Sequence, residues 1–182
     1  MQPHAIVLHG PTSSGKSSLA KALQASAVVP AFHISLDAFV TMASRGDMRS
    51  EEERELAYHI HCENLRSTLA RVVDTDFEII LDLVLRDTIE FDSCLRVLSP
   101  RRTCVVRVWA PISVLEAREQ NREDRGVGMA REQFEHPAYK RTYDFEVDTS
   151  RCTPGEGAAA IRRFMAAPRP TGQSSGPPGG RR

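Results

Sequence analysis

Residues 10–17 constrain the fold of this chain more than any other feature. They read Gly-Pro-Thr-Ser-Ser-Gly-Lys-Ser, which matches the pattern G-x-x-x-x-G-K-[ST] in full. A short apolar run at residues 5–9 precedes the motif, and apolar residues at helical spacing follow it at residues 17–26. A strand, a glycine-rich turn and a helix in this order predict a loop whose backbone N–H groups surround phosphate, as in P-loop NTPases.

Each part of this loop has a predicted role. The glycines let the backbone curl around a phosphate, and the helix that begins near Lys16 adds the positive end of its dipole. Lys16 brings a positive charge to the β- and γ-phosphates, which also makes it a predicted catalytic residue, and the Ser17 hydroxyl is predicted to bind Mg²⁺. The residues predicted to bind the nucleotide here are Gly10, Pro11, Thr12, Ser13, Ser14, Gly15, Lys16, Ser17 and Ser18.

The rest of the chain alternates between strand and helix patterns. Short apolar runs predict strands at residues 31–36, 77–81, 103–109 and 143–147, and helical spacing predicts helices at residues 50–73, 88–98, 112–121 and 154–165. This alternation predicts an α/β fold in which helices cover both faces of a parallel sheet. In the longest helix Ser50 is the predicted N-cap, and the residues predicted to face the core are Leu56, Ile60, Leu65, Leu69 and Val72.

Charge and cysteine content narrow the function class. The last 15 residues contain three Arg and no acid, so residues 1–167 have 21 basic and 24 acidic side chains, a net charge of −3. This balance argues against a nucleic-acid or membrane-surface partner. The four cysteines are widely spaced, and His59 and His61 are two residues apart and do not share a helical face, so we predict no metal pair there. The chain also has no apolar run long enough to span a bilayer, and we predict a reduced, cytoplasmic protein.

Residues 168–182 differ from the rest of the chain. Eight of these 15 residues are Pro or Gly, and such a segment cannot bury enough apolar surface to order its backbone. We therefore predict one domain at residues 1–167 and a disordered tail at residues 168–182, with a basic docking tail as the alternative.

Two aspartates follow predicted strands, at the edge where ligands bind in open α/β sheets. Asp82 closes the apolar run at residues 79–81, and a carboxylate there is predicted to hold Mg²⁺ beside the phosphate loop. Asp37 closes the second strand and can accept the proton of a hydroxyl that attacks a γ-phosphate. From its position alone, Asp37 is equally well interpreted as the N-cap of a helix that starts at Ala38.

Three arginines follow the fourth predicted strand. Arg118, Arg122 and Arg125 are spaced four and three residues apart, so their guanidinium groups share one face if the helix continues. We predict an Arg-rich lid that closes over the nucleotide and neutralises charge on the transferred phosphoryl group. The alternative is a solvated face paired with the acids of the same stretch, Glu119, Glu123 and Asp124.

With these residues in place, the chain resembles the chloramphenicol phosphotransferase family of small P-loop kinases over residues 5 to about 150. The phosphate loop alone is shared by a very large superfamily, whereas the arginine segment and the last strand are much narrower signals. The matching segments are residues 6–17, Leu36-Asp37-Ala38-Phe39, Ile79-Ile80-Leu81-Asp82, Ala117-Arg118-Glu119, Arg122-Glu123-Asp124-Arg125, Gly128-Met129-Ala130 and residues 143–149, Tyr-Asp-Phe-Glu-Val-Asp-Thr.

The resemblance implies a specific chemistry and topology. It implies transfer of a phosphoryl group from ATP, with Mg²⁺, to an alcohol of a small molecule such as chloramphenicol, in a five-stranded parallel sheet of order 2-3-1-4-5. Asp37 falls on the family's catalytic base. Arg118, Arg122 and Arg125 fall on its lid arginines, of which we assign Arg118 to nucleotide binding and the other two to catalysis.

The chain departs from the family on the acceptor side. Leu83 stands where the family has a second acid, residues 38–66 diverge around the acidic run at 51–53, and His136 is shifted from the family's histidine. A metabolic kinase or a zeta-toxin-like kinase of a sugar nucleotide is therefore the alternative among enzymes. A nucleotide-dependent switch or ATPase without an acceptor is the alternative of another class, and Asp37 argues against it. The sequence pattern leaves the oligomeric state open.

Overall fold

The computed structural model describes residues 4–84, 87–121 and 128–167. Its strands are β1 (Ala5–His9), β2 (Ala31–Ser35), β3 (Glu78–Leu83), β4 (Thr103–Trp109) and β5 (Phe145–Asp148). Its α-helices are α1 (Lys16–Ala25), α2 (Leu36–Val40), α3 (Glu51–Val72), α4 (Thr88–Val97), α5 (Ile112–Gln120), α6 (Met129–Glu135) and α7 (Pro154–Ala166). Short 3₁₀ helices lie at Arg45–Asp47 and Pro137–Tyr139.

The five strands form one parallel sheet in the order β2-β3-β1-β4-β5, which confirms the predicted topology. The central strand β1 is buried along its whole length. Its Ile6 and Leu8 pack with residues of α1 and α7, whereas Ala5 and Val7 pack with residues of α3 and α4. A strand covered on both faces needs apolar residues at successive positions, which is why its sequence shows no alternation.

Two core predictions for α3 are wrong. Leu56 is 61% exposed and Ile60 is 46% exposed, whereas Leu65, Leu69 and Val72 are buried as predicted. The buried residues of α3 begin at residue 61, so only the second half of this helix lies against the sheet. The apolar residues of α3 do recur with a helical period, but the period alone does not show how far a helix extends beyond the sheet.

Helix ends follow local capping chemistry. The Ser50 hydroxyl accepts a hydrogen bond from the Glu53 N–H, as predicted for the start of α3. Thr153 and Glu156 form a reciprocal capping box at the start of α7. No helix within the described ranges is long and apolar enough to cross a membrane. The predicted lid residues 122–127 and the predicted tail 168–182 lie outside the described residues.

Because all strands are parallel, their carboxyl ends meet at one edge of the sheet. The loop after β1, the start of α2 after β2, and the last residues of β3 therefore lie side by side. The candidate site is built at this edge.

Candidate active site

The loop between β1 and α1 has the conformation of a phosphate cradle. A Cβ atom built on Gly10 would lie 2.0 Å from the carbonyl oxygen of Val108, so the loop passes too close to β4 for any larger residue. Gly15 has a φ of 88° at the N-cap of α1, a left-handed conformation that a residue with a Cβ adopts at a cost. The close approach at Gly10 and the positive φ of Gly15 explain why the motif needs glycine at its first and sixth positions.

Several polar groups of this loop are buried, and three of its hydroxyls have no partner among the described residues. The hydroxyl oxygens of Thr12, Ser13 and Ser14 are enclosed, and the described residues provide no hydrogen bond to them. Lys16 is 5% exposed, and its Nζ donates to the carbonyl oxygen of Pro11 at 2.8 Å. Buried polar groups without partners are rare unless a ligand satisfies them. The loop therefore fits an anionic, oxygen-rich group such as the phosphates of a nucleotide.

Ser17 and Asp82 form the pair predicted to bind a metal ion. The Ser17 hydroxyl donates to Oδ2 of Asp82 at 2.8 Å, although the two residues are 65 positions apart. His33 on the neighbouring strand β2 has its Nε2 3.7 Å from the same oxygen. Burial favours the protonated form of Asp82, but His33, the charge of Lys16 and the Ser17 hydroxyl together hold the pKa of Asp82 below its ordinary value. An ionised carboxylate next to a hydroxyl is a donor set that suits Mg²⁺.

Arg118 lies at a cleft beside the phosphate loop. Its guanidinium donates to Oγ1 and to the carbonyl oxygen of Thr149, each at 2.8 Å, and to the carbonyl oxygen of Ser13 at 3.4 Å. Thr149 in turn donates to the carbonyl oxygen of Ser14 at 2.9 Å. These bonds join α5, the end of β5 and the loop around a cleft of about 220 Å³, which Ser18 and Cys152 also line. Of the three predicted lid arginines, Arg118 is the described one, since Arg122 and Arg125 lie outside the described residues.

A second cavity lies on the side of α2 and α3, and its lining residue Gln133 connects it to the phosphate loop. It measures about 230 Å³ and lies between α2, α3, the end of β3 and α6; we call it the acceptor cleft. It is lined by six apolar residues, Leu36, Val40, Met48, Ala57, Val84 and Met129, and by six polar residues, Asp37, Arg54, Tyr58, His61, Glu132 and Gln133. An apolar cavity with a few polar groups is typical of a site for a small molecule.

Asp37 lies in this cleft, but not at a helix N-cap. The helix α2 begins at Leu36, two residues before the predicted start at Ala38, and Ser35 occupies the N-cap position. Asp37 therefore belongs to the first turn of α2, and the capping interpretation of Asp37 is wrong. The strand β2 ends one residue earlier than predicted, at Ser35, because the backbone turns directly from strand into helix.

Gln133 connects the acceptor cleft to the phosphate loop, and the sequence patterns do not reveal it. Its Oε1 accepts a buried hydrogen bond of 2.6 Å from the N–H of Thr12, while its side chain also lines the acceptor cleft. The pairing spans 121 residues, and α6 itself is absent from the sequence prediction. The only available signal was the short helical pattern after Gly128.

Glu119 is buried, which corrects its part in the solvated-face alternative, whereas Glu123 and Asp124 lie outside the described residues. It is 3% exposed, and its carboxylate accepts hydrogen bonds from the N–H groups of Gly128 at 2.8 Å and Ala130 at 2.7 Å. The carboxylate thus caps the first turn of α6, where a negative charge also meets the positive end of the helix dipole. Glu119 is therefore a buried structural residue and not an acid on a solvated face.

Comparison with known proteins agrees with this fold and loop. The sequence profile of the family described as chloramphenicol phosphotransferase-like protein matches residues 3–166. A search of curated protein sequences found no match.

Three solved structures illustrate the structural similarity. APS kinase of Mycobacterium tuberculosis, in complex with AMPPNP and APS, has a TM-score of 0.66 and 14% identity, covering 91% of this chain and 99% of its own. Shikimate kinase from Acinetobacter baumannii, in complex with shikimate, has a TM-score of 0.65 and 16% identity, covering 90% of this chain and 93% of its own. A sugar kinase from Janibacter has a TM-score of 0.64 and 16% identity, covering 90% of this chain and 94% of its own. At these identities the similarity establishes the fold.

Proposed function

We propose, from the premise that this chain belongs to the chloramphenicol phosphotransferase-like family, that it transfers the γ-phosphate of ATP to a hydroxyl group of a small molecule. One observation carries the proposal: a carboxylate, Asp37, lines a small cleft that shares Gln133 with the phosphate loop. A kinase needs its acceptor next to the γ-phosphate, and this cleft is next to the loop that would hold it.

The loop residues bind and orient the triphosphate. The enclosed hydroxyls of Thr12, Ser13 and Ser14 and the N–H groups of the loop can donate to phosphate oxygens. Lys16 exchanges its bond to Pro11 for the β- and γ-phosphates. Ser17 and Asp82 would hold Mg²⁺, which supplies charge neutralisation to the phosphates when bound.

Arg118 and the cleft of about 220 Å³ would receive the nucleoside part of ATP. Ser18, in the first turn of α1, and Thr149 line the same cleft and offer further hydrogen-bonding groups. Arg118 is fixed by three hydrogen bonds to the loop and Thr149, so little side-chain entropy is lost when a ligand binds against it.

Asp37 prepares the acceptor. The hydroxyl proton passes to the Asp37 carboxylate as the hydroxyl oxygen forms a bond to the γ-phosphorus, and the bond from that phosphorus to the β–γ bridging oxygen breaks. The products are a phosphate ester and ADP. Arg122 and Arg125 complete the proposal: they would stabilise the negative charge on the transferred group, a role that rests on the sequence resemblance.

The acceptor class follows from the lining of the acceptor cleft. Arg54 is the one Lys or Arg among the described residues that line the acceptor cleft. Its guanidinium already donates to the Glu51 carboxylate at 2.9 Å and to the carbonyl oxygen of Met48 at 3.3 Å. Six of the twelve described residues that line the cleft are apolar, which favours an acceptor without a charged group. We therefore favour an uncharged alcohol over a sugar nucleotide, and chloramphenicol is the first acceptor to test because the family description names it.

The test is a transfer assay with the full chain. The protein is incubated with ATP, Mg²⁺ and single acceptors (chloramphenicol, shikimate, gluconate and a nucleoside diphosphate sugar), and mass spectrometry detects the gain of one phosphate. We expect phosphate on chloramphenicol, the uncharged alcohol of this set, with wild type and none with Lys16→Ala. Transfer to shikimate or gluconate, which carry a carboxylate, would contradict the uncharged class. Transfer to the sugar nucleotide alone would overturn the acceptor class, and ATP hydrolysis without any transfer would favour an ATPase.

A further inference from the structure

His61 is an unusual residue in the acceptor cleft. It is 7% exposed, it lines the cleft, and its Nδ1 is enclosed with no hydrogen-bond partner among the described residues. Buried polar groups are nearly always paired, and leaving one unpaired costs about 1–3 kcal/mol. Because Leu or Met would fill the same space without that penalty, the imidazole needs a reason other than packing.

The position of the two ring nitrogens indicates which one can meet a ligand. Nδ1 is enclosed, whereas Nε2 is not among the enclosed unpaired atoms and makes no hydrogen bond to the described residues. The exposed edge of a ring that lines the cleft is therefore its Nε2 edge. In the neutral imidazole, the proton is better placed on Nε2 than on the enclosed Nδ1, since an enclosed N–H without an acceptor is the costlier arrangement.

We propose that His61 determines acceptor specificity, with its Nε2–H donating a hydrogen bond to a second oxygen of the acceptor. This inference rests on the proposed function, because it concerns the same cleft. The acceptor then carries two oxygens at a fixed separation: the hydroxyl at Asp37, which receives the phosphate, and a hydroxyl or carbonyl oxygen at His61.

The remainder of the cleft defines the rest of this molecule. Leu36, Val40, Met48 and Ala57 are among the apolar residues that line the cleft, so we expect the body of the acceptor to be apolar apart from its two oxygens. A cavity of about 230 Å³ admits a compact molecule with one or two rings. The substrate class is therefore a small, uncharged alcohol that carries a second hydroxyl or carbonyl oxygen. A plain alcohol without the second oxygen leaves Nε2–H without a partner and binds more weakly.

Three substitutions of His61 distinguish this role from a structural one. The side-chain nitrogen of Gln reaches about as far as Nε2, that of Asn reaches only as far as Nδ1, and Leu has neither. We expect His61→Leu and His61→Asn to weaken acceptor binding about 5- to 10-fold, the loss of one hydrogen bond, and His61→Gln to stay within about twofold of wild type. His59→Leu, on the exposed face of the same helix, is the matched control.

The measurement is NMR titration of the full chain with a non-hydrolysable ATP analogue present. The probes are chloramphenicol and a fragment set of uncharged cyclic diols and hydroxy-ketones at millimolar concentration, and the carboxylates shikimate and gluconate serve as charged comparisons that we expect not to bind. We expect probes to shift the ¹⁵N signal of His61 Nε2, which the His61→Asn spectrum assigns. We also expect Tm of His61→Leu to equal or exceed that of wild type, because an unpaired buried nitrogen is removed, and the affinity for the ATP analogue to stay unchanged.

Each other outcome counts against the inference. A His61→Leu protein that binds every probe as wild type does, an Asn variant that rescues as well as Gln, or a cleft that binds no probe would overturn it. A failure of the proposed function is recognised separately: probes then bind in a His61-dependent way, but wild type transfers no phosphate to them.

Discussion

Replacing Asp37 by Asn tests the proposed base with almost no change in shape. The carboxylate lies in the first turn of α2, a helix of five residues, and lines the acceptor cleft. Asn keeps the size and the hydrogen-bonding oxygen of the side chain, but it cannot accept the hydroxyl proton. The substitution therefore separates the chemistry of this residue from its packing.

The expected magnitudes of the two effects differ enough to decide between them. A charge in the first turn of a helix contributes about 0.3–1 kcal/mol, so the structural loss lowers Tm by at most about 4 °C. Loss of a positioned base lowers the rate of transfer by about 10²–10⁴, which corresponds to about 2.7–5.4 kcal/mol in the transition state. The rate effect thus exceeds the stability effect severalfold.

The assay measures kcat and KM for the acceptor identified by mass spectrometry, with Tm measured in parallel. We expect kcat to fall by the factor given above, the KM for ATP to stay within about twofold, and Tm to stay within a few degrees of wild type. Asp47→Asn is the matched control, since Asp47 is an exposed acid in the first turn of the neighbouring 3₁₀ helix. A kcat near that of wild type in Asp37→Asn would refute the assignment of the base.

Three further predictions follow from the structure. Lys16→Ala should abolish transfer and leave Tm near that of wild type, as measured beside Lys21→Ala, an exposed control on the same helix; transfer by Lys16→Ala would remove the loop from the mechanism. Alkylation by iodoacetamide at pH 8.5 should modify Cys152 first and be slowed by ATP, because Cys152 lines the cleft assigned to the nucleoside, and an unchanged rate would place the nucleoside elsewhere. Burial raises the pKa of Tyr143 from 10.0 to about 12. The stability that its neutral form contributes is therefore complete below pH 10 and is lost as the pH rises toward 12. Denaturant unfolding of Tyr143→Phe should show a smaller loss of stability over this pH window, and an identical loss would contradict the assigned burial effect.

The sequence predicted those parts of the site that depend on short-range pattern. The loop at residues 10–17 needs glycine at position 10, where an added Cβ would lie 2.0 Å from a backbone oxygen, and at position 15, where φ is positive. Both glycines belong to the motif itself, so the sequence shows them directly. An aspartate at the end of a strand is more often a cap or turn residue, and it was the phosphate loop that favoured placing Asp82 beside a metal ion. The structure then places Asp82 within 2.8 Å of Ser17, which the sequence could suggest but not measure.

Other features required the tertiary structure because they join segments far apart in the chain. Glu119 has the sequence pattern of a surface acid, but its carboxylate is buried and accepts hydrogen bonds from the N–H groups of Gly128 and Ala130 at the start of α6. That helix is too short for its sequence pattern to be recognised. Leu56 and Ile60 have the period of a core helix and are exposed, because the sheet ends before the helix does.

The sequence alone thus determined the phosphate loop, the alternation of strands and helices, and the N-cap of α3, each of which is set by residues close together in the chain. The tertiary structure decided which side chains share the acceptor cleft. Gln133 reaches Thr12 across 121 residues, and His61 and Asp37 line the same cleft only because α2 and α3 lie at the same end of the sheet. Those contacts depend on how far each helix extends and on which distant segments it meets, and periodicity in the sequence carries no information on either.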